Sequence, residues 1–316
     1  MARALYDPVD GYYARYGAGR DYRTAPQTSP AFGHLIGAAL ARMWRLLGEP
    51  SQFDAVELGV GDGRLRNDAV GWLRARAPAA PVRYVTVDRA SAAADVRGDA
   101  ALLPLRPIHG CLLSNELFDA LPVNRLRWTG SAWEELWVVD GERFEAGALS
   151  GEATPPAEIS LRPRQIVDVA PAAAGVMREI AGRLERGYVL TLDYGGGSAD
   201  VYGPHRMAGT ALAYWRNRAR DDLLARPGEQ DLTAHVDFDA LRRAGEEAGL
   251  TTLLETTQRD FLLELGLREW LERLQPAHLS PSDLFNARAA ALELVHPSRL
   301  GNLRVLLQGR GVAPGW

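Results

Sequence analysis

Short apolar runs alternate along this chain with longer segments whose apolar residues recur at helical spacing. The runs lie at Ala55–Leu58, Val82–Val87, His109–Asn115, Tyr188–Leu192, Thr251–Thr257 and Leu303–Leu307, each of strand length. Between them, Leu35, Ile36, Ala39, Leu40, Met43, Trp44 and Leu47 mark one amphipathic helix. It opens at Ser29-Pro30 and stops at Gly48. Leu65, Ala69, Trp72 and Leu73 mark a second. Further helices are expected over Ala172–Leu184, Asp237–Ala248, Phe261–Leu274 and Pro281–Glu293. Strands alternating with helices predict an α/β fold, Rossmann-like, with a mostly parallel sheet flanked by helices.

Three stretches break the rhythm. Leu5–Gly33 is rich in Tyr, Gly, Pro and Arg, a poor helical composition, and reads as an ordered, aromatic-bearing loop over the site. Arg125–Leu149 carries Trp128, Trp133, Trp137 and Phe144, with Asp140-Gly141 signalling a tight hairpin, and a Pro-rich surface loop follows over 150–164. Residues 198–236 read as irregular, with Arg and aromatic residues including Tyr214, Trp215 and Arg216. The expected organisation is an N-terminal loop and helix over 1–52, then a cofactor-binding domain over 53–316. That domain carries a β-rich insertion at about 125–164 and a substrate- or partner-facing one at about 198–236.

The candidate chemistry gathers where the strands end, the edge at which parallel sheets bind ligands. After Ala55–Leu58 come Gly59, Gly61 and Gly63 at alternate positions, and then a helix. A dinucleotide fingerprint needs glycine where Arg64 stands, and there is no P-loop Lys-Ser/Thr. Glu57 beside the turn disfavours a pyrophosphate and suits a ligand with an ammonium or sulfonium. S-adenosylmethionine carries both. Asp88 ends the second strand, where ribose hydroxyls are held, and Asp99 lies where a third would end. Asn115-Glu116 follows the fourth strand and Asp193 the fifth. Helix capping by Asn115, a strand-end turn at Asp88 or Asp193 and a packed His235 are the plain structural alternatives.

Composition narrows the class. Apolar residues make up 47% and charged residues 24%, ordinary for a globular protein. The net charge of 36 − 40 = −4 argues against a nucleic-acid surface. All 36 Lys-or-Arg residues are arginine, which fits a GC-rich genome. The single cysteine, Cys111, lies in an apolar run and reads as a packed residue. No window is apolar for long enough to span a membrane and no secretory leader is legible, so a cytoplasmic protein is expected. No metal-spaced Cys/His cluster is present.

The motifs together resemble the MidA family of S-adenosylmethionine-dependent methyltransferases. That family includes a mitochondrial assembly factor that methylates an arginine of a partner subunit. The similar stretches cover nearly the whole chain. They are Gly11–Tyr13 with T-x-P and Ser29-Pro30-x-Phe32-Gly33, ELGVGDGRL, SNELFDALPV (Ser114–Val123), LDYG (Leu192–Gly195), PGEQDLTAHVDF (Pro227–Phe238), TQRDFLLELG (Thr257–Gly266) and LGNLRVL (Leu300–Leu306). The resemblance implies a class I methyltransferase fold and S-adenosyl-L-methionine as cofactor. Glu57, Gly59, Gly61, Gly63, Asp88, Asp99 and Asn115 are expected to hold the cofactor. Asn115, Glu116 and Asp193 are expected to be catalytic, with Glu116 and Asp193 orienting the acceptor. Thr24, Pro26, Asp119, Tyr194 and His235 are expected on the substrate side, and no metal is expected. The acceptor implied is an arginine of a protein, in a bacterial member of the family, with the oligomeric state open. A small-molecule methyltransferase and a cofactor-binding assembly factor are the alternatives. The sequence departs from the family at Gln27, usually acidic, at Asp62, often basic, at Asp168-Val169-Ala170-Pro171, and at Leu300 and Arg304.

Overall fold

The computed structural model describes residues 1–156, 159–274 and 279–316; Ala157 and Glu158 of the expected 150–164 loop lie outside the described residues. In chain order, the elements begin with α1 (Ala2–Tyr6), α2 (Tyr12–Tyr16), α3 (Ala25–Thr28) and α4 (Pro30–Leu46). The core unit follows as β1 (Phe53–Leu58), α5 (Arg64–Arg76), β2 (Val82–Asp88), β3 (Val96–Arg97) and β4 (Ile108–Asn115). A first insertion holds β5 (Asn124–Trp128), β6 (Trp133–Val139), β7 (Arg143–Gly147) and β8 (Ile166–Val169). The chain returns through α6 (Ala173–Arg183) and β9 (Leu184–Asp193), then β10 (Gly195–Gly196) and α7 (Ser198–Val201). A second insertion holds β11 (Leu212–Trp215), β12 (Arg218–Arg220) and β13 (Asp231–Thr233). Last come β14 (Val236–Asp237), α8 (Phe238–Glu247), β15 (Thr251–Thr257), α9 (Gln258–Glu264), α10 (Leu267–Glu272), α11 (Pro281–Glu293) and β16 (Arg304–Arg310).

The central sheet runs β15-β16-β9-β4-β1-β2-β3. The pairs from β3 to β9 are parallel, whereas β16 is antiparallel to both of its neighbours. Period-two alternation splits each strand between two cores. Phe53 and Ala55 of β1, with Cys111, Leu190 and Leu307, pack against α4, α5 and α9–α11. Val56 and Leu58, with Leu112, Val189 and Leu306, pack against α6 and α8. The expected Rossmann-like sheet with helices on both faces is therefore present. Its strand order reverses between β1 and β4, which opens a crevice at their carboxyl ends. Among the described residues no helix is long and apolar enough to cross a membrane.

Three expectations are corrected. Leu5–Gly33 is not one loop: it contains α1, α2 and α3. Each has only four or five residues, so burial of Leu5, Tyr12 and Ala25 outweighs weak helix propensity. Phe261–Leu274 is two helices, because Gly266 takes φ +98° and the chain turns there. Residues 198–236 are not irregular. They hold the small antiparallel sheet β12-β11-β13, whose hairpin turns on Arg216 and Asn217 at φ +52° and +58°. The first insertion is a four-stranded sheet, β7-β6-β5-β8, and Asp140-Gly141 forms its β6–β7 turn with positive φ at both residues.

Candidate active site

Gly59, Gly61 and Gly63 all take positive φ, at +78°, +55° and +80°. Gly59 ties β1 to β2 by donating to the Val87 carbonyl at 2.9 Å. A Cβ on Gly59 meets Leu117 Cδ1 at 3.1 Å, so the glycine turn packs closely against the chain following β4. On Gly61 the nearest atom is Ala18 Cβ at 3.6 Å, which places the N-terminal segment over the turn. Gly59 opens into a cleft that it shares with Asp88, Asp99 and Glu116, and with Tyr6 of α1 and Tyr13 of α2.

The cleft's donor set suits a nucleoside with a cationic tail. Asp88 Oδ1 accepts from the Ala90 and Ser91 amides at 2.8 and 2.9 Å, which fixes the carboxylate and leaves Oδ2 without a donor among the described residues. Asp99 accepts from the Ala101 amide at 2.9 Å, and Arg89 lies 3.5 Å from its other oxygen while stacking over the Tyr6 ring at 4.6 Å. Asn115 donates through Nδ2 to Glu116 Oε1 at 2.9 Å, and its own Oδ1 is buried with no partner among the described residues. A buried orphan acceptor beside the crevice is a group that awaits a donor.

Glu57 departs from expectation. It is 3% exposed and accepts from the Tyr84 hydroxyl of the neighbouring strand at 2.9 Å. Burial pushes its carboxyl up to about 8, so it lies under the turn as a partner of Tyr84.

Glu116 is the pivot of the site. It takes φ +53°, a conformation that costs a side-chain-bearing residue about 1–3 kcal/mol. Its amide continues the ladder by donating to the Leu192 carbonyl at 2.9 Å. Its Oε1 accepts from Asn115 and from the Ala25 amide at 3.2 Å. Thr24 and Pro26 act through that contact: Thr24 caps α3 and Pro26 sits in its first turn, and together they present Ala25 to Glu116. Burial pushes the Glu116 carboxyl up to about 7.

Asp193 is placed differently from its expected role beside the acceptor. It is 0% exposed and both oxygens are occupied. Oδ2 accepts from the Leu117 and Phe118 amides at 3.0 and 2.8 Å, and Oδ1 from the Tyr194 amide at 2.8 Å. It is a positioning residue that locks the turn carrying Glu116. His235 is also displaced. Its side chain lines a separate cavity with Tyr202 and Asp237, and burial pushes the imidazole down to about 4. Only its backbone neighbours reach the site: Ala234 donates to the Asp119 carbonyl and Val236 to the Tyr194 carbonyl, at 2.9 and 2.8 Å. Asp119 and Tyr194 do not line that cleft but lie near Glu116, whose charge acts on both. Asp119 is 6% exposed, and burial, with the Asp193 and Glu116 charges, pushes its carboxyl well above the usual carboxylate range. Tyr194 bonds hydroxyl to hydroxyl with Tyr22. The two family departures meet: Gln27 donates to Asp62 at 3.2 Å, a neutral–acidic contact at the two positions where the family usually places opposite charges. Sequence reading missed Tyr22, Tyr214 and Asp231, which tertiary folding gathers with Tyr13 and Tyr194.

Substitution of Gly59 by Val is expected to weaken cofactor binding at least tenfold in calorimetry, with the circular dichroism spectrum retained. The backbone strain alone is about 1–2 kcal/mol, and the branched side chain drives into Leu117.

The protein arginine methyltransferase NDUFAF7 of Danio rerio is 27% identical over 353 residues, spanning 95% of this chain and 80% of that one. Its Homo sapiens counterpart is 26% identical over 352 residues, 95% and 76%. A crystal structure from Burkholderia thailandensis with S-adenosyl-homocysteine bound superposes with TM-score 0.86 at 29% identity, covering 100% of this chain and 87% of that one. S-adenosyl-L-methionine is the cofactor. With the family profile matching residues 35–256, the chain belongs to the S-adenosyl-L-methionine-dependent methyltransferases of that MidA-like family.

Proposed function

We propose that the methyl acceptor is an arginine side chain of a protein. The observation that carries this is Glu116, which lines the cleft with Gly59 and whose Oε2 makes no hydrogen bond among the described residues, with the nearly buried Asp119 three residues further on. A guanidinium is planar and permanently charged, and it presents a fork of donors that carboxylates accept. The names of the relatives above support the same acceptor.

The bound sulfonium supplies an electrophilic methyl group. The protein's work is then to hold an acceptor nitrogen in line with it. An N–C bond forms as the C–S bond breaks, and the nitrogen sheds a proton. Glu116 orients the nitrogen and takes that proton, Asn115 fixes the Glu116 carboxylate, and Asp193 fixes the turn.

Incubation with cofactor labelled in the methyl group and a cell lysate, then acid hydrolysis of the labelled protein, is expected to release methylarginine. Label confined to small molecules favours a small-molecule acceptor. Cofactor binding without transfer favours a role in assembly through protein contacts. Either result removes the arginine reading.

A further inference from the structure

The small sheet of the second insertion meets both the N-terminal segment, through Asp231 and Tyr13, and the chain after β4, through Ala234 and Asp119. Tyr214 of β11 and Asp231 of β13 are register partners on adjacent strands, so their side chains share one face. Asp231 is 6% exposed, and one of its oxygens is fixed by the Tyr13 hydroxyl and the Leu232 amide, both at 3.0 Å. The other has no donor among the described residues. Tyr22 joins the wall from the N-terminal segment, its ring centroid 4.7 Å from that of Tyr214 and 5.7 Å from that of Tyr194. Asp119 is tied to the end of β13 by the Ala234 amide, which donates to its carbonyl at 2.9 Å, and its charge acts on Tyr13, Tyr22, Tyr194 and Tyr214. The Asp231 charge acts on both Glu116 and Asp119.

Two nearly buried carboxylates, each with an oxygen that no protein group satisfies, are costly unless a cation completes them. Among the described residues no group of three or more His, Cys, Asp or Glu is arranged to hold a metal ion. The surrounding phenol rings add aromatic surface of the kind that attracts organic cations.

We propose that Asp119 and Asp231, walled by Tyr13, Tyr22, Tyr194 and Tyr214, form a cage for the acceptor's cationic head, so that the second insertion selects a guanidinium over neutral side chains. This rests on the arginine reading, and it adds Asp231 and Tyr214 as specificity-determining residues that touch the acceptor. In the cage the two carboxylates accept from the guanidinium N–H groups. It excludes a neutral isostere because that ligand leaves both carboxylates unpaired.

The test is calorimetry on the full chain saturated with S-adenosylhomocysteine, titrated with a Gly-Arg-Gly peptide and with the same peptide carrying neutral citrulline. The arginine peptide is expected to bind at least about tenfold more tightly. Asp231→Asn is expected to abolish that preference while S-adenosylhomocysteine affinity stays within about threefold. Tyr214→Leu, which keeps the strand but removes the ring, is expected to weaken the arginine peptide about threefold or more. Equal binding of arginine and citrulline peptides overturns the cage, as does an unchanged preference in Asp231→Asn. A parallel loss of S-adenosylhomocysteine affinity assigns the carboxylate to the cofactor instead. Arginine-selective binding with no methyl transfer from S-adenosylmethionine removes the arginine acceptor as function and keeps the cage. Transfer that ignores Asp231 does the reverse.

Discussion

Glu116→Gln is expected to slow methyl transfer by about two orders of magnitude or more, with cofactor affinity nearly unchanged. The amide keeps an oxygen for the Ala25 N–H and the Asn115 amide, so the turn survives. It loses the charge that opposes a guanidinium and the capacity to take a proton. A pH profile separates these effects from a fold defect. Arginine does not titrate in the working range, so an acidic limb in kcat/KM belongs to the protein. Burial holds the Glu116 carboxyl at about 7, and activity is therefore expected to rise with pH through that value and to level off above it. The variant lacks this limb. Stability moves the other way. A carboxyl whose folded pKa lies above its unfolded value costs stability as pH rises from about 4 towards 7. At pH 8 the urea midpoint of Glu116→Gln is thus expected to equal or exceed that of the parent. A variant that turns over normally and keeps the limb removes Glu116 from the chemistry.

Asp193→Ala has the largest expected effect on folding. Three backbone N–H groups, of Leu117, Phe118 and Tyr194, lose their acceptor in a site with no solvent access. Unsatisfied buried donors cost about 1–3 kcal/mol each, and relaxation recovers part, so a loss of about 3 kcal/mol or more is expected in urea unfolding. Activity falls as well, because Asp193 holds the two residues that follow Glu116 and its strained φ. Asp193→Asn retains one acceptor oxygen and is expected to lie between. If Asp193→Ala unfolds at the parental midpoint yet is inactive, Asp193 acts on the acceptor and not on the turn.

The contrast between these two residues shows what the sequence carries. Alternate glycines after an apolar run betray the cofactor turn, because only a backbone free of Cβ adopts three positive φ values in five residues. Asp140-Gly141 betrays its hairpin for the same reason. The β11–β12 turn uses Arg216 and Asn217, and strands of three or four residues carry little periodicity, so the small sheet leaves no comparable trace. Strand ends locate Glu116 and Asp193 equally well. Which of them faces a ligand depends on partners far along the chain: Asp193 is filled by amides 75 and 76 residues earlier. Glu57 is claimed by Tyr84 on the adjacent strand, a contact that register decides. Gln27 and Asp62 look like two separate departures until folding puts them side by side.

The placement of β16 has a consequence for the order in which the molecule is made. It pairs with β9, joining residues more than a hundred positions apart, and it sits inside the sheet between β9 and β15. While the chain is being synthesised, β1 to β9 can pair among themselves, but β9 keeps an open edge and β15 has no partner until residue 310 has emerged. An unpaired apolar edge is a template for association with another chain. Removing residues 304–316 is accordingly expected to yield a protein that collects in the insoluble fraction, and supplying that segment as a separate peptide during refolding is expected to return part of it to solution.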